Sequence, residues 1–166
     1  MSFRKEKFMS LAGITAVDHP IEELKSISRG LLNDGIHGIC FSAYDEGQQP
    51  GDQLTEAQVR RKLSILKPHI SWVRTFSCTE GNEFIAQIAH EMGIKTLAGA
   101  WLGDDLEKNE VEIAGLIALC KQGAVDVAAV GNEVLYREDL EANALVKYIE
   151  RVKAEVSGVP VGYVDA

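Results

Sequence analysis

The sequence predicts an α/β fold built on a parallel sheet. Segments of strand character alternate with amphipathic helical segments along almost the whole chain. The run Val127-Ala128-Ala129-Val130 is apolar with no polar alternation, as a strand covered on both faces requires. The connections between segments are short, which favours right-handed crossovers between parallel strands. The apolar run ends in Gly131-Asn132-Glu133. In parallel sheets the chemistry sits just past the carboxyl ends of the strands, so Glu133 stands where a catalytic acid is expected. The plainer alternative is a carboxylate that caps a loop or pairs with Arg137, since most loop carboxylates are solvated.

The elements follow in order. Residues 1–19 read as an N-terminal tail. From Pro20 to about Asn33, Ile21, Leu24, Ile27 and Leu31 recur at helical spacing, with Pro20 near the first turn. Ile36 to Ala43 is a first strand, followed by a loop from Asp45 to Asp52 rich in turn formers. Thr55 and Gln58 have capping-box spacing at the next helix start, which carries Val59, Leu63 and Leu66 inward and ends before Pro68. Ser71 to Ser77 is a second strand. A helix from about Asn82 uses Phe84, Ile85, Ile88, Ala89 and Met92, and Gly93 stops it. Ile94 to Trp101 is a third strand. Asn109 precedes a helix with Ile113, Leu116, Ile117 and Cys120 on one face, which ends near Gly123. Val125 to Gly131 is a fourth strand. A last helix from about Leu140 to Val156 turns Leu145, Tyr148, Ile149, Val152 and Val156 inward. Gly158 closes it, and residues 159–164 form a fifth strand.

No low-complexity linker interrupts this alternation, so residues 1–166 read as a single domain. Two architectures fit it: an open doubly wound sheet, or part of an eight-stranded barrel. Neither a Gly-x-Gly-x-x-Gly fingerprint after the first strand nor a Walker sequence is present, which weakens a nucleotide-binding reading.

Composition narrows the function classes. The chain has 166 residues, 46% hydrophobic and 25% charged, as an ordinary soluble globular domain has. Its net charge of -8, from 25 acidic against 17 basic residues, argues against non-specific nucleic-acid binding. Arg4, Lys5 and Lys7 form a short basic cluster that reads as a solvated end. Cys40, Cys78 and Cys120 make no paired framework and match no zinc spacing, so buried thiols are expected. His19, His37, His69 and His90 are scattered, so neither a metal nor a cofactor is assigned. No apolar run approaches a membrane span. Met9 to Val17 faintly resembles a signal-peptide core, but Ser10, Gly13 and Thr15 interrupt it. A cytoplasmic location is therefore the default expectation, with secretion left open.

A parallel sheet gathers its strand ends on one rim, so these residues are considered together. The first strand brings Phe41, Ser42 and Tyr44, and the second Arg74, Thr75, Ser77 and Cys78. The third brings Trp101 and, beyond it, Asp104 and Asp105. The fourth brings Asn132 and Glu133, and the fifth Tyr163 and Asp165. Aromatic rings, hydrogen-bonding groups and carboxylates on one rim suit a sugar: rings stack on its apolar faces and polar groups take its hydroxyls. Trp101 and Phe41 also have an ordinary core reading. Arg74 in an apolar strand needs a buried partner, and Glu133 is a candidate.

Several of these pieces, taken in order, resemble a known family. Gly38-Ile39-Cys40-Phe41-Ser42, Trp72-Val73-Arg74-Thr75-Phe76, Gly93-Ile94-Lys95 leading to Gly99-Ala100-Trp101-Leu102, Val130-Gly131-Asn132-Glu133-Val134-Leu135 and Val159-Pro160-Val161 follow one another. The series is similar to the β-1,3-glucanases and glucanosyltransferases of glycoside hydrolase family 17. The bacterial-type members are nearest, with a loop like Gly47-Gln48-Gln49-Pro50-Gly51. The resemblance runs from about Gly35 to the C-terminus. It implies a (β/α)8 barrel, here partial, with five parallel strands in sequential order and helices outside. It implies retaining chemistry on β-glucans, β-1,3 above others, with Glu133 as acid/base and Asn132 bonded to the sugar. Arg74, Tyr44, Phe41 and Trp101 are the remaining substrate-binding candidates.

The same resemblance exposes a shortfall. Retaining cleavage uses two carboxyl groups about 5 Å apart. The family's nucleophile is a glutamate near the seventh strand, whereas five strands are read here. A full barrel usually takes about 250 residues. Phe41 also stands where the family often has tyrosine. The expectation is an incomplete site that is inactive alone: a further C-terminal segment or another copy of the chain completes it, or catalysis has been lost. Asp165, Asp45, Asp104 and Asp105 are rim acids, but none matches the family's nucleophile motif. A non-catalytic carbohydrate-binding or assembly module is the second hypothesis, and an unrelated α/β enzyme with a phosphorylated ligand the third.

Overall fold

The structure is a computed structural model that describes residues 19–165. Apart from His19, the expected tail lies outside the described residues, together with the basic cluster and the Met9–Val17 stretch. The chain divides into two compact units, residues 1–36 and 37–166. The described part of the first is chiefly the helix α1 (Ile21–Asp34). It starts at Pro20, whose fixed φ suits a helix start, and ends at Gly35 with φ 81°. None of its residues is buried, and Leu24 and Ile27 are half-exposed.

The second unit holds a five-stranded parallel sheet and four helices. The strands are β1 (Ile36–Cys40, whose first residue belongs to the other unit), β2 (Ile70–Arg74), β3 (Lys95–Ala100), β4 (Val127–Asn132) and β5 (Val161–Val164). Between them run α2 (Glu56–Leu66), α3 (Glu83–Glu91), α4 (Leu106–Lys121) and α5 (Ala142–Glu155). The spatial order is β1-β2-β3-β4-β5, all parallel. An order that never reverses is that of a barrel arc and rules out the doubly wound sheet, whose strand order turns back.

The register explains the faces. Val73 pairs with Thr96, and Ala98 with Ala128. Val73, Thr96, Ala98, Ala100, Ala128 and Val130 are all buried, with at most 1% of each exposed. The last four pack with Ile113, Leu116, Ile117, Leu145 and Val152 of α4 and α5 in one apolar cluster. The small residues of β3 and β4 let the larger helix side chains approach the sheet closely. The alternate positions Trp72, Arg74, Lys95 and Leu97 face the other way and are only partly covered or exposed. There Trp72 stacks on His37 at 5.9 Å, and the Lys95 ammonium lies 5.4 Å from its ring centroid.

Several local expectations are corrected. The Thr55 side chain accepts from the Gln58 N–H at 3.3 Å, but the box is not reciprocal. Gln58 is buried and donates instead to the Ala43 carbonyl at 2.7 Å. Asn109 does not precede its helix: Asp105 caps α4 through the N–H groups of Glu107 and Lys108, and Asn109 lies buried one turn in. Cys40 is exposed, because alternation at the end of β1 turns it away from the helices, whereas Cys78 and Cys120 are buried as expected.

Candidate functional site

The carboxyl ends of the strands form a rim with a hollow of about 280 Å³. Phe41, Tyr44 and Trp101 line it, together with Phe76, Ser77 and Glu112. Three of the six expected site residues therefore meet in one concavity. The loop after β1 supplies one wall and is tied down at several points. Arg61 donates to both oxygens of Asp45 at 2.9 and 2.8 Å, and Lys62 bonds the Tyr44 carbonyl. The hydrogen bonds from Arg61 and Lys62 hold the Asp45 carboxyl below the usual carboxylate range. The Asn82 amide reaches the Tyr44 hydroxyl at 3.3 Å.

The other three expected residues form a chain along the sheet. Arg74 donates through Nη2 to Oδ1 of Asn132, and its guanidinium stands 4.9 Å from the Phe76 ring centroid. Asn132, not Glu133, is thus the partner of this partly buried arginine. Arginine only donates, so the Asn132 amide must turn its oxygen toward Arg74 and keep its two N–H donors for another group. The Arg74 Nε is buried without a partner among the described residues.

Glu133 follows at the end of β4. Its N–H donates to the Val164 carbonyl at 2.8 Å, which ties it to β5. Its φ is 52°, in the left-handed region that a non-glycine residue rarely takes, two residues after Gly131 at φ 85°. Outliers of this kind recur at functional sites. The residue is half-buried, and its carboxylate has no hydrogen bond or ion pair among the described residues. The alternative pairing with Arg137 does not occur: Arg137 bonds Asp139 at 2.7 Å and the Leu102 carbonyl at 2.8 Å. The Tyr163 hydroxyl accepts the Leu135 N–H at 3.0 Å just beyond, and burial raises its pKa.

A second carboxylate escaped the sequence reading. Glu112 of α4 has none of its surface exposed. One oxygen accepts the hydroxyls of Ser77 at 2.5 Å and Thr79 at 2.7 Å. The other accepts the N–H of Cys78 at 2.8 Å and of Trp101 at 3.1 Å. It therefore clamps the ends of β2 and β3 together under the hollow. The signal was present: Asn109, Glu112, Leu116 and Leu119 share one helical stripe, so both polar residues stand on a buried face. Asn109 holds the next segment, accepting the Gly103 N–H and donating to its carbonyl, each at 2.8 Å.

Phe41 is 7% exposed and Trp101 37%, so the first serves mainly as wall and the second offers a ring surface. Trp101 is half covered: the Arg137 guanidinium lies 4.3 Å from its centroid. Asp104 and Asp105 do not line the hollow, and Asp105 is spent as the cap of α4.

The chain is similar in sequence and fold to known proteins. A sequence model described as the BtgE/BtgC glycoside hydrolase domain matches residues 38–166. A glucan 1,3-beta-glucosidase of Candida albicans is 29% identical over 119 residues, covering 63% of this chain and 39% of that protein. A glucan 1,3-beta-glucosidase of Schizosaccharomyces pombe is 28% identical over 166 positions, covering 91% of this chain and 50% of that protein. Among solved structures, an active-site mutant of the Rhizomucor miehei β-1,3-glucanosyltransferase in complex with laminaritriose is similar, with a TM-score of 0.67 and 26% identity. That match covers 81% of this chain and 51% of the other. The same enzyme, described as belonging to glycoside hydrolase family 17, is matched again with a TM-score of 0.64 at 26% identity, over 78% of this chain and 49% of the other. The chain spans about half, or less, of the length of these relatives.

Proposed function

Because the chain belongs to the BtgE/BtgC glycoside hydrolase family, we propose that its rim is the acid/base half of a retaining site for β-1,3-glucan. The observation that carries this is Glu133: a half-buried carboxylate without a partner among the described residues, at the end of an interior strand, on strained backbone. Such a group is free to give and take a proton. Asn132 beside it presents amide donors to a sugar oxygen because Arg74 fixes its orientation. Trp101, Tyr44 and Phe41 form the walls against which a glucosyl ring stacks.

The chemistry then runs in two steps. Glu133 donates its proton to the glycosidic oxygen as the bond to the anomeric carbon breaks. A second carboxylate, on the opposite face of the ring, takes that carbon and forms a glycosyl intermediate. Glu133, now ionised, removes a proton from water for hydrolysis, or from a sugar hydroxyl for transfer, as that oxygen displaces the carboxylate. In this reading the second carboxylate comes from beyond the five strands, from a further segment or another copy of the chain.

The test compares three proteins on laminari-oligosaccharides: the 166-residue chain, a chain extended to the length of its relatives, and the extended chain with Glu133→Gln. The expected results are binding without turnover in the first, turnover in the second, and a loss of about a thousand-fold or more in the third with folding unchanged. Full turnover by the 166-residue chain defeats the half-site proposal and points to a local nucleophile, with Asp165 the first to replace. An active extended Glu133→Gln protein removes Glu133 from the role.

A further inference from the structure

We infer that Arg137 is the positioning residue of this rim, joining the Trp101 ring and the turn that carries Glu133 into one rigid piece. All three guanidinium nitrogens are engaged. Nε and Nη2 share Asp139 Oδ2, each at 2.7 Å. Nη2 also reaches the Leu102 carbonyl at 2.8 Å, and Nη1 bonds the carbonyl of Asn132. The guanidinium lies over Trp101, its central carbon 4.3 Å from the ring centroid. The Arg137 main chain donates to the Glu133 carbonyl at 2.8 Å, and Asp139 N–H to the Val134 carbonyl at 3.0 Å. One side chain thereby links the end of β3 to the end of β4 and backs the ring on the side that Arg137 occupies. It also bonds the carbonyl that immediately precedes Glu133, the residue held at φ 52°.

The planar fork is essential to this arrangement. A lysine reaches one acceptor well and presents no face to stack on indole. The role in sugar binding rests on the proposed β-glucan function, whereas the effect on Trp101 does not. The experiment separates them. The chain has two tryptophans, so Trp72→Phe leaves Trp101 as the sole tryptophan, read selectively by excitation at its red edge. In that background Arg137→Met, which keeps the stem and loses the fork, and Arg137→Lys are compared with the parent. Acrylamide quenching of Trp101 should rise about twofold in both variants, because the ring loses its cover and its tether. Affinity for laminaritriose, read by titration, should fall about tenfold, and lysine should not restore it. Unchanged quenching in folded variants overturns the inference, as does full restoration by lysine. If Arg137→Met does not fold, Arg137→Lys alone decides by the same readout. Absence of laminaritriose binding by the parent would count against the glucan function, while the quenching result still decides the positioning role.

Discussion

Replacing Glu112 offers a sharp test of how this rim is held. The carboxylate is buried and accepts four hydrogen bonds, two from backbone N–H groups and two from hydroxyls. Alanine removes both acceptor oxygens and with them all four bonds. The hydroxyls of Ser77 and Thr79 are half-buried and can turn to each other, being 3.2 Å apart, or to water. The N–H groups of Cys78 and Trp101 have no such freedom. An orphaned buried donor costs about 1–3 kcal/mol, so Glu112→Ala should cost about 2–6 kcal/mol. Glutamine is the informative contrast. Its oxygen can take the two N–H groups, and its amide can donate to the hydroxyls, which accept as readily as they donate. Glu112→Gln should therefore cost only about 1–2 kcal/mol, since the remaining bonds are weaker than those of a charged acceptor. Urea denaturation of the three proteins, with unchanged slopes, gives the two differences. If alanine and glutamine are equally damaging, the clamp depends on charge rather than on acceptor geometry. If neither matters, the four bonds do not hold the rim.

Three further outcomes follow from packing and burial. Gly115 sits inside α4, where alanine ordinarily gains about 1 kcal/mol; here a Cβ would meet the Cys78 carbonyl oxygen at 2.6 Å, so Gly115→Ala should instead lower stability by about 1–3 kcal/mol in the same denaturation assay. Burial raises the Cys120 thiol to about 11 and that of Cys78 well above its ordinary value. These thiols lose their protons more readily in the unfolded chain, so folding stability should hold up to about pH 9 and fall between pH 9 and 11, with a shallower fall in Cys120→Ala. In the native protein a thiol reagent should label the exposed Cys40 first, which mass spectrometry reads directly.

The fold was legible where one periodicity dominated. Ile85, Ile88 and Ala89, and Ile113, Leu116 and Ile117, are buried as their spacing required, because a helix on a sheet has a single way to hide such a stripe. Gly93 and Gly123 end their helices at φ 73° and 76°, conformations that sequence alone suggests through glycine. Strand limits were less legible. Ser71 to Ser77 read as one strand, but Ser77 and Cys78 have left the sheet to meet Glu112, a contact between positions 34 apart that no local pattern encodes. The ambiguity between an open sheet and a barrel arc had the same cause, since strand order is a long-range property. Asn109 was misread for a different reason. An asparagine before an apolar run has the chemistry of a cap, and only the tertiary position of Gly103 shows that its amide serves another segment.

The candidate site was legible at the strand ends and obscure beneath them. Both Glu112 and Glu133 belong to the rim, and Glu112 lines the hollow while Glu133 does not. Choosing the acid by proximity to the concavity would therefore select Glu112. Its hydrogen bonds argue against that choice. A general acid must hold a proton that it can release to a substrate oxygen, and a general base must keep a lone pair open. Both oxygens of Glu112 are committed to donors that also fix β2 and β3, so using either for proton transfer would loosen the walls of the hollow. Glu133 has the opposite character. Its main chain is anchored through Val164 and Arg137, while its carboxylate has no partner among the described residues. A fixed backbone with a free carboxylate is what proton transfer requires. A free backbone turn with a committed carboxylate would make a cap. In the proposed function, the division of labour between the two acids follows from which of their atoms the fold has already occupied.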